Sequence, residues 1–222
     1  MYQSYLRRIA KIIDSVEPGK MSKLKLVIFL GSVRDGRMGD RVLKFVQEKL
    51  EKEMSKRFDP VEIVDPAILD LPLLKKPMHF YQHASEVPKK LQQLNAIVES
   101  ADAYLILSPE YNRCVPPALL NTMDHIPPKS YRCKPSGMVL YSMGPQGGAL
   151  AGVALRPFLS ELGCLPVSHF VTIGKVNEQL DEQGNTENKH IHSSFSKLMN
   201  QVEWFGEAMK NHRKDNAPKD DF

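Results

Sequence analysis

The chain has 222 residues, 42% hydrophobic and 25% charged, enough for the core of one α/β domain with short extensions. Its formal net charge of +4 is spread among acidic neighbours, unlike the clustered basic stripe of a nucleic-acid-binding surface, so no nucleic acid is expected as a partner. No apolar run approaches the roughly 18 residues of a membrane span, and three cysteines without C-x-x-C spacing (Cys114, Cys133, Cys164) predict reduced thiols in a cytoplasmic setting.

Residues 1–22 precede the first strong apolar run. Leu6, Ile9, Ala10, Ile13 and Val16 fall at helical spacing, with Arg7, Arg8 and Lys11 opposite. Two readings stand: a basic presequence for organelle import, or a short extra helix on the domain. Asp14 and Glu17 fit poorly with an acid-poor transit peptide.

Leu24 to Leu30 reads as a buried strand, rich in apolar and β-branched residues. The polar stretch from Gly31 to Asp40 then carries three glycines and two arginines. Beyond it the period becomes helical, with Val42, Phe45, Val46 and Leu50 on one face. A strand running through a glycine-rich turn into a helix N-terminus aims free N–H groups and the positive helix end at one point. Ser32, Arg34 and Arg37 can add donors, so phosphate is the expected guest; the plainer alternative is a βα loop with solvent-facing arginines. Arg37 and Met38 follow Gly36 where a Walker loop needs Lys and Ser or Thr. Val33 takes the second glycine position of the dinucleotide fingerprint.

Val61–Val64 is read as a second strand. Residues 65–77, with three prolines, are expected to be irregular. Phe80 and Tyr81 are weak lid candidates beside His79 and His83, which suit a solvated loop. A helix is predicted over Val87–Ser100, a third strand over Ala101–Leu107, and a helix from Pro116-Pro117 to near His125. Gly137–Met143 is the fourth strand, followed by the glycine-rich 144–148 loop and a helix closed by Gly163. Val167–Ile173 is the fifth strand and Lys189–Lys210 the last helix. The expected organisation is an extension over 1–22, one domain over 23–210, and a polar, disordered tail over 211–222.

Strands alternating with helices predict an α/β, doubly wound, five-stranded parallel sheet of order 2-1-3-4-5 with helices on both faces. Its ligand crevice lies beyond the carboxyl ends of strands one, three and four, where the 31–40, 108–113 and 142–148 loops all fall. Pro109 fixes the backbone for a planar ligand, while Tyr111 and Asn112 supply an aromatic edge and an amide. Gly147 and Gly148 let backbone approach a flat ring. A plain β-turn and a flexible connection are the competing readings of these two loops. His190 and His192 lie two apart, not on one helix face, so no metal is expected. His125 suits a helix C-terminus, and Asp102 and Asp124 form no evident carboxylate pair. Ser108, where a receiver domain needs aspartate, argues against phosphotransfer.

Several motifs together are similar to the NADPH-dependent FMN reductases of the flavodoxin-like superfold. They are G-S-x-R at 31–34, S-P-E-Y-N at 108–112 and S-x-G-x-x-G-G at 142–148, supported by PPALLNTMDHI at 116–126 and LRPFLSELGCLPV at 155–167. The resemblance implies that Ser32, Arg34, Arg37, Met38 and Gly39 surround an FMN phosphate. It sets Pro109, Glu110, Tyr111 and Asn112 along the isoalloxazine, with Ser142, Gly144, Gly147 and Gly148 on its other side. It implies hydride transfer from NADPH or NADH to FMN and on to a small-molecule acceptor: a flavin, quinone, azo compound or metal oxyanion. No catalytic acid or base is required. A homodimer or homotetramer is implied, with the helix from Pro116 at the contact. Relatives often carry Ser at the Arg37 position, and a small polar residue at Cys114. The alternative is a non-enzymatic flavin-binding electron carrier or redox-signalling protein on the same fold.

Overall fold

The computed structural model describes residues 23–218. The amphipathic pattern at 1–22 lies outside the described residues. The strands are β1 (Leu24–Leu30), β2 (Phe58–Val64), β3 (Ala103–Pro109), β4 (Lys134–Tyr141), β5 (Cys164–Pro166) and β6 (Val171–Ile173). Between and after them run α1 (Gly39–Met54), α2 (Pro66–Leu69), α3 (Lys89–Ser100), α4 (Pro117–Asp124), α5 (Pro128–Tyr131), α6 (Ala149–Glu161), α7 (Val176–Gln179) and α8 (Lys189–Asp215). The sheet order is β2-β1-β3-β4-β5, with β6 also on β4, and every pairing is parallel. This is the flavodoxin-like arrangement.

The apolar runs are continuous because the sheet is buried on both faces, and the period of two divides each run between two cores. Leu26, Ile28, Leu30, Leu105 and Leu107 point to the side where α1 packs Val42, Phe45 and Val46 and α8 packs Phe195, Leu198 and Val202. Val27, Phe29, Tyr104 and Ile106 point the other way, onto Leu94 and Val98 of α3, Leu119 and Met123 of α4, and Leu155 and Leu159 of α6.

The fifth strand departs from the expected Val167–Ile173. It is two short pieces, one pairing Cys164–Pro166 with Lys134–Ser136 and the other Val171–Ile173 with Val139–Tyr141. The intervening backbone turns away to other partners. Arg156 donates to the carbonyls of Val167 (3.1 Å) and Ser168 (2.8 Å), and the Gln201 side chain accepts from the His169 N–H (2.9 Å). The last helix also runs five residues past Lys210, to Asp215. Arg213 ties that extra turn down by donating to the Cys133 carbonyl and to Asp102, which also accepts from Lys210 at 2.7 Å. No helix among the described residues is long and apolar enough to cross a membrane.

Candidate active site

The three loops meet at the carboxyl ends of β1, β3 and β4 around a cavity of about 540 Å³, a size suited to a cofactor-like ligand. Of the residues singled out in the sequence, Ser32, Arg34, Arg37, Met38, Pro109, Glu110, Tyr111, Asn112, Ser142 and Gly144 line it; Gly39, Gly147 and Gly148 do not.

The first loop is fastened where β1 ends, the Gly31 N–H donating to the Leu107 carbonyl at 2.9 Å. Ser32 is buried, and its hydroxyl is hydrogen-bonded to that of Tyr111. Arg37 folds back on the protein. It donates to the Ser32 carbonyl (2.6 Å), to both oxygens of Asp65, including Oδ1 at 2.7 Å, and to Asp40 (2.9 Å). Most of its planar fork is therefore engaged, and it braces the loop against the end of β2. The hydrogen bonds from Arg37 hold the Asp65 carboxyl below the usual carboxylate range, against the opposing effect of burial. Asp65 also accepts from the Ala67 N–H at 2.9 Å as the N-cap of α2. Arg34 has no carboxylate partner among the described residues, and its guanidinium lies 3.5 Å from the centroid of the Tyr111 ring.

The N-terminus of α1 is uncapped: Met38 at the N-cap makes no side-chain bond, and the N–H groups of Arg37, Met38 and Gly39 have no acceptor among the described residues. Over this point lies Tyr141, the last residue of β4. It is 2% exposed, and its hydroxyl is without a hydrogen-bond partner among the described residues. A Cβ on Gly39 would come within 2.6 Å of that hydroxyl, so glycine there keeps Tyr141 against the helix end. Burial pushes the phenol well above its usual range, so it stays a neutral donor. An orphaned buried hydroxyl costs about 1–3 kcal/mol. An anion at the α1 N-terminus would satisfy it together with the free N–H groups, and these residues therefore fit a phosphate.

The second loop is a tight hairpin. Tyr111 and Cys114 exchange backbone hydrogen bonds of 3.0 Å each, and Asn112 (φ 51°) and Arg113 (φ 64°) between them are both left-handed, as in a type I′ turn. The N–H groups of Asn112 and Arg113 have no acceptor among the described residues, so they remain available to a ligand. Glu110 lines the cavity but commits one carboxylate oxygen, Oε2, to a neighbouring helix. It accepts from the N–H groups of Leu150 (3.0 Å) and Ala151 (3.2 Å), capping α6 from a distance.

In the third loop the Ser142 hydroxyl is spent on the Gly144 carbonyl at 3.0 Å. Gly147 and Gly148 have φ of 63° and 83°, and side chains there would strike Gly174 and Ile173 backbone or that of Tyr141. Their role is to fold the loop onto the ends of β6 and β4, beneath the cavity rather than in it. Sequence reasoning missed Tyr141 and Arg113. Tyr141 could have been found by following the two-residue period to the end of β4. Phe80 and Tyr81 do not line the cavity. His125 is buried with Nδ1 on the Asn121 carbonyl at 2.6 Å, and His192 packs on Phe45 with Nε2 on the Thr186 carbonyl at 2.8 Å.

Residues 24–178 match the family described as NADPH-dependent FMN reductase. The chain is 28% identical over 192 residues to a quinone reductase of Escherichia coli (strain K12), covering 85% of this chain and 96% of the relative. It is 25% identical over 187 residues to an NADPH azoreductase of Bacillus sp. (strain OY1-2), covering 84% and 97%. Among solved structures, the flavoenzyme NAD(P)H:(acceptor) oxidoreductase FerB from Paracoccus denitrificans superposes with a TM-score of 0.62 at 23% identity, over 85% of this chain and 98% of that one. That likeness is one of fold.

Proposed function

The chain belongs to the NADPH-dependent FMN reductase family, and from that membership we propose that its cavity holds FMN and carries a hydride from NAD(P)H to a small oxidised acceptor. The observation that carries this reading is a set of donors around one cavity that have no acceptor among the described residues: the N–H groups at the α1 N-terminus, the buried Tyr141 hydroxyl and the Arg34 guanidinium, which lies on Tyr111. Ser32, Arg34, Met38, Gly39 and Tyr141 would surround the phosphate of FMN, with Arg37 acting through the loop it braces. Pro109, Glu110, Tyr111 and Asn112 would follow the ring system, and Ser142 and Gly144 would border it from the β4 side.

When bound, FMN supplies the redox chemistry, taking two electrons and a proton from the nicotinamide as hydride and passing reducing equivalents to the acceptor. The protein's work is positional. The hairpin at 111–114 leaves the Asn112 N–H without an acceptor among the described residues, and such a donor favours an electron-rich ring. Glu110, by capping α6, fixes the hairpin relative to the third loop. No side chain is needed to carry a proton to or from carbon, so none is assigned a catalytic role.

The acceptor is proposed to be a quinone, an azo compound, free flavin or a metal oxyanion, entering the space the oxidised nicotinamide leaves. Relatives named quinone reductase and NADPH azoreductase support the first two. We further propose a homodimer or homotetramer in the cytoplasm. The test is steady-state NADPH oxidation by the FMN-loaded protein at several fixed quinone concentrations. Parallel double-reciprocal lines are expected for two substrates that use one site in turn. A flavin-bound protein that turns over no NADPH with any of these acceptors would instead be an electron carrier.

A further inference from the structure

Three arginines line the cavity, and two are accounted for. Arg37 is neutralised by Asp65 and Asp40, and Arg34 lies on Tyr111 beside the phosphate-binding loop. Arg113 is exposed at the tip of the 111–114 hairpin and has no hydrogen bond or ion pair among the described residues. Of the carboxylates lining the cavity, Glu110 is held by α6, and Asp35 makes no ion pair with Arg113. The backbone at Arg113 is left-handed (φ 64°), at the turn position where glycine is the favoured residue. A long cationic side chain is thus kept where it is conformationally disfavoured, as happens at ligand-binding sites.

The single phosphate of FMN is already matched by the α1 N-terminus, Tyr141 and Arg34. A dinucleotide donor brings further anionic groups, the pyrophosphate and, in NADPH, a 2′-phosphate. We propose that Arg113 is a specificity-determining residue whose guanidinium binds a phosphate of the dinucleotide hydride donor at the cavity mouth. The inference rests on the reductase reading above. It assigns Arg113 to the donor, not to the flavin, and a planar fork on a rigid hairpin suits bidentate phosphate recognition.

The test compares wild type with Arg113→Gly and Arg113→Lys, measuring FMN affinity by fluorescence and NADP+ affinity of the FMN-loaded protein by calorimetry. kcat/KM is measured with NADPH, NADH and 1-benzyl-1,4-dihydronicotinamide, a hydride donor without phosphate. FMN affinity and the benzyl donor's kcat/KM are expected to be unchanged in Arg113→Gly, while NADP+ affinity and kcat/KM for NADPH fall about tenfold or more. Arg113→Lys, which keeps the charge, should recover part of the loss. A loss with NADPH alone assigns the contact to the 2′-phosphate; an equal loss with NADH assigns it to the pyrophosphate. Unchanged NADP+ affinity and unchanged kcat/KM for both dinucleotides would overturn the proposal, as would an equal loss with the phosphate-free donor. Wild-type protein that binds no FMN would overturn the reductase reading and this inference with it.

Discussion

Replacing Tyr141 with Phe removes one oxygen atom from the site and should move stability and cofactor affinity in opposite directions. Without a ligand, the Tyr141 hydroxyl is buried and has no partner among the described residues, a situation that costs about 1–3 kcal/mol. Phe keeps the ring and its packing against Gly39 while removing that cost, so the apoprotein should gain about 1 kcal/mol and its Tm should rise by about 2–4 °C. With FMN present, the same hydroxyl donates to a charged phosphate oxygen, an interaction of about 1.5–3 kcal/mol, so FMN should bind about 10- to 150-fold more weakly. Differential scanning calorimetry of the apoprotein and quenching of free-FMN fluorescence read the two quantities separately. A destabilised apoprotein with unchanged FMN affinity would refute the reasoning, because the hydroxyl would then have a partner within the protein and none in the ligand.

Other perturbations follow from the same contacts. Asp65→Asn leaves the partly buried Arg37 with the exposed Asp40 as its remaining ion-pair partner and should destabilise the fold by about 3 kcal/mol by urea titration. Folding lowers the Asp65 pKa, so its contribution is complete above the ordinary carboxylate value of about 4. That contribution disappears as pH falls through the folded value, and wild type should therefore lose more stability than Asp65→Asn on acidification below about pH 4. Glu110→Ala removes the remote cap of α6 and should cost about 0.5–2 kcal/mol. It should also weaken FMN binding by freeing the hairpin, whereas a loss of stability with FMN affinity intact would separate the two roles.

Much of the fold was legible because its signals are local. The buried strands announced themselves as short apolar runs, and the change of period after Gly31 marked the turn into α1. The convergence of the three loops followed from strand order alone. What was not legible depends on partners distant in sequence. Nothing near Val167 signals that Arg156 and Gln201 will draw the backbone out of the sheet and divide the fifth strand. The polar residues past Lys210 look like a tail until Asp102 and the Cys133 carbonyl receive Arg213. At the site, Arg37 looks like a phosphate ligand until Asp65, across the end of β2, takes up its donors. Gly147 and Gly148 look like a ring-facing loop until the ends of β6 and β4 are seen beneath them. Tyr141 was hidden among strand residues, its value lying in where the strand ends.

The central claim is that this cavity binds FMN in a form that NADPH can reduce. Protein loaded with FMN and freed of excess cofactor should be mixed with NADPH under anaerobic conditions while the flavin absorbance is followed. Bleaching of the flavin bands within seconds is the predicted result. Protein that retains no FMN, or a bound flavin whose bands persist in excess NADPH and NADH, would contradict the account.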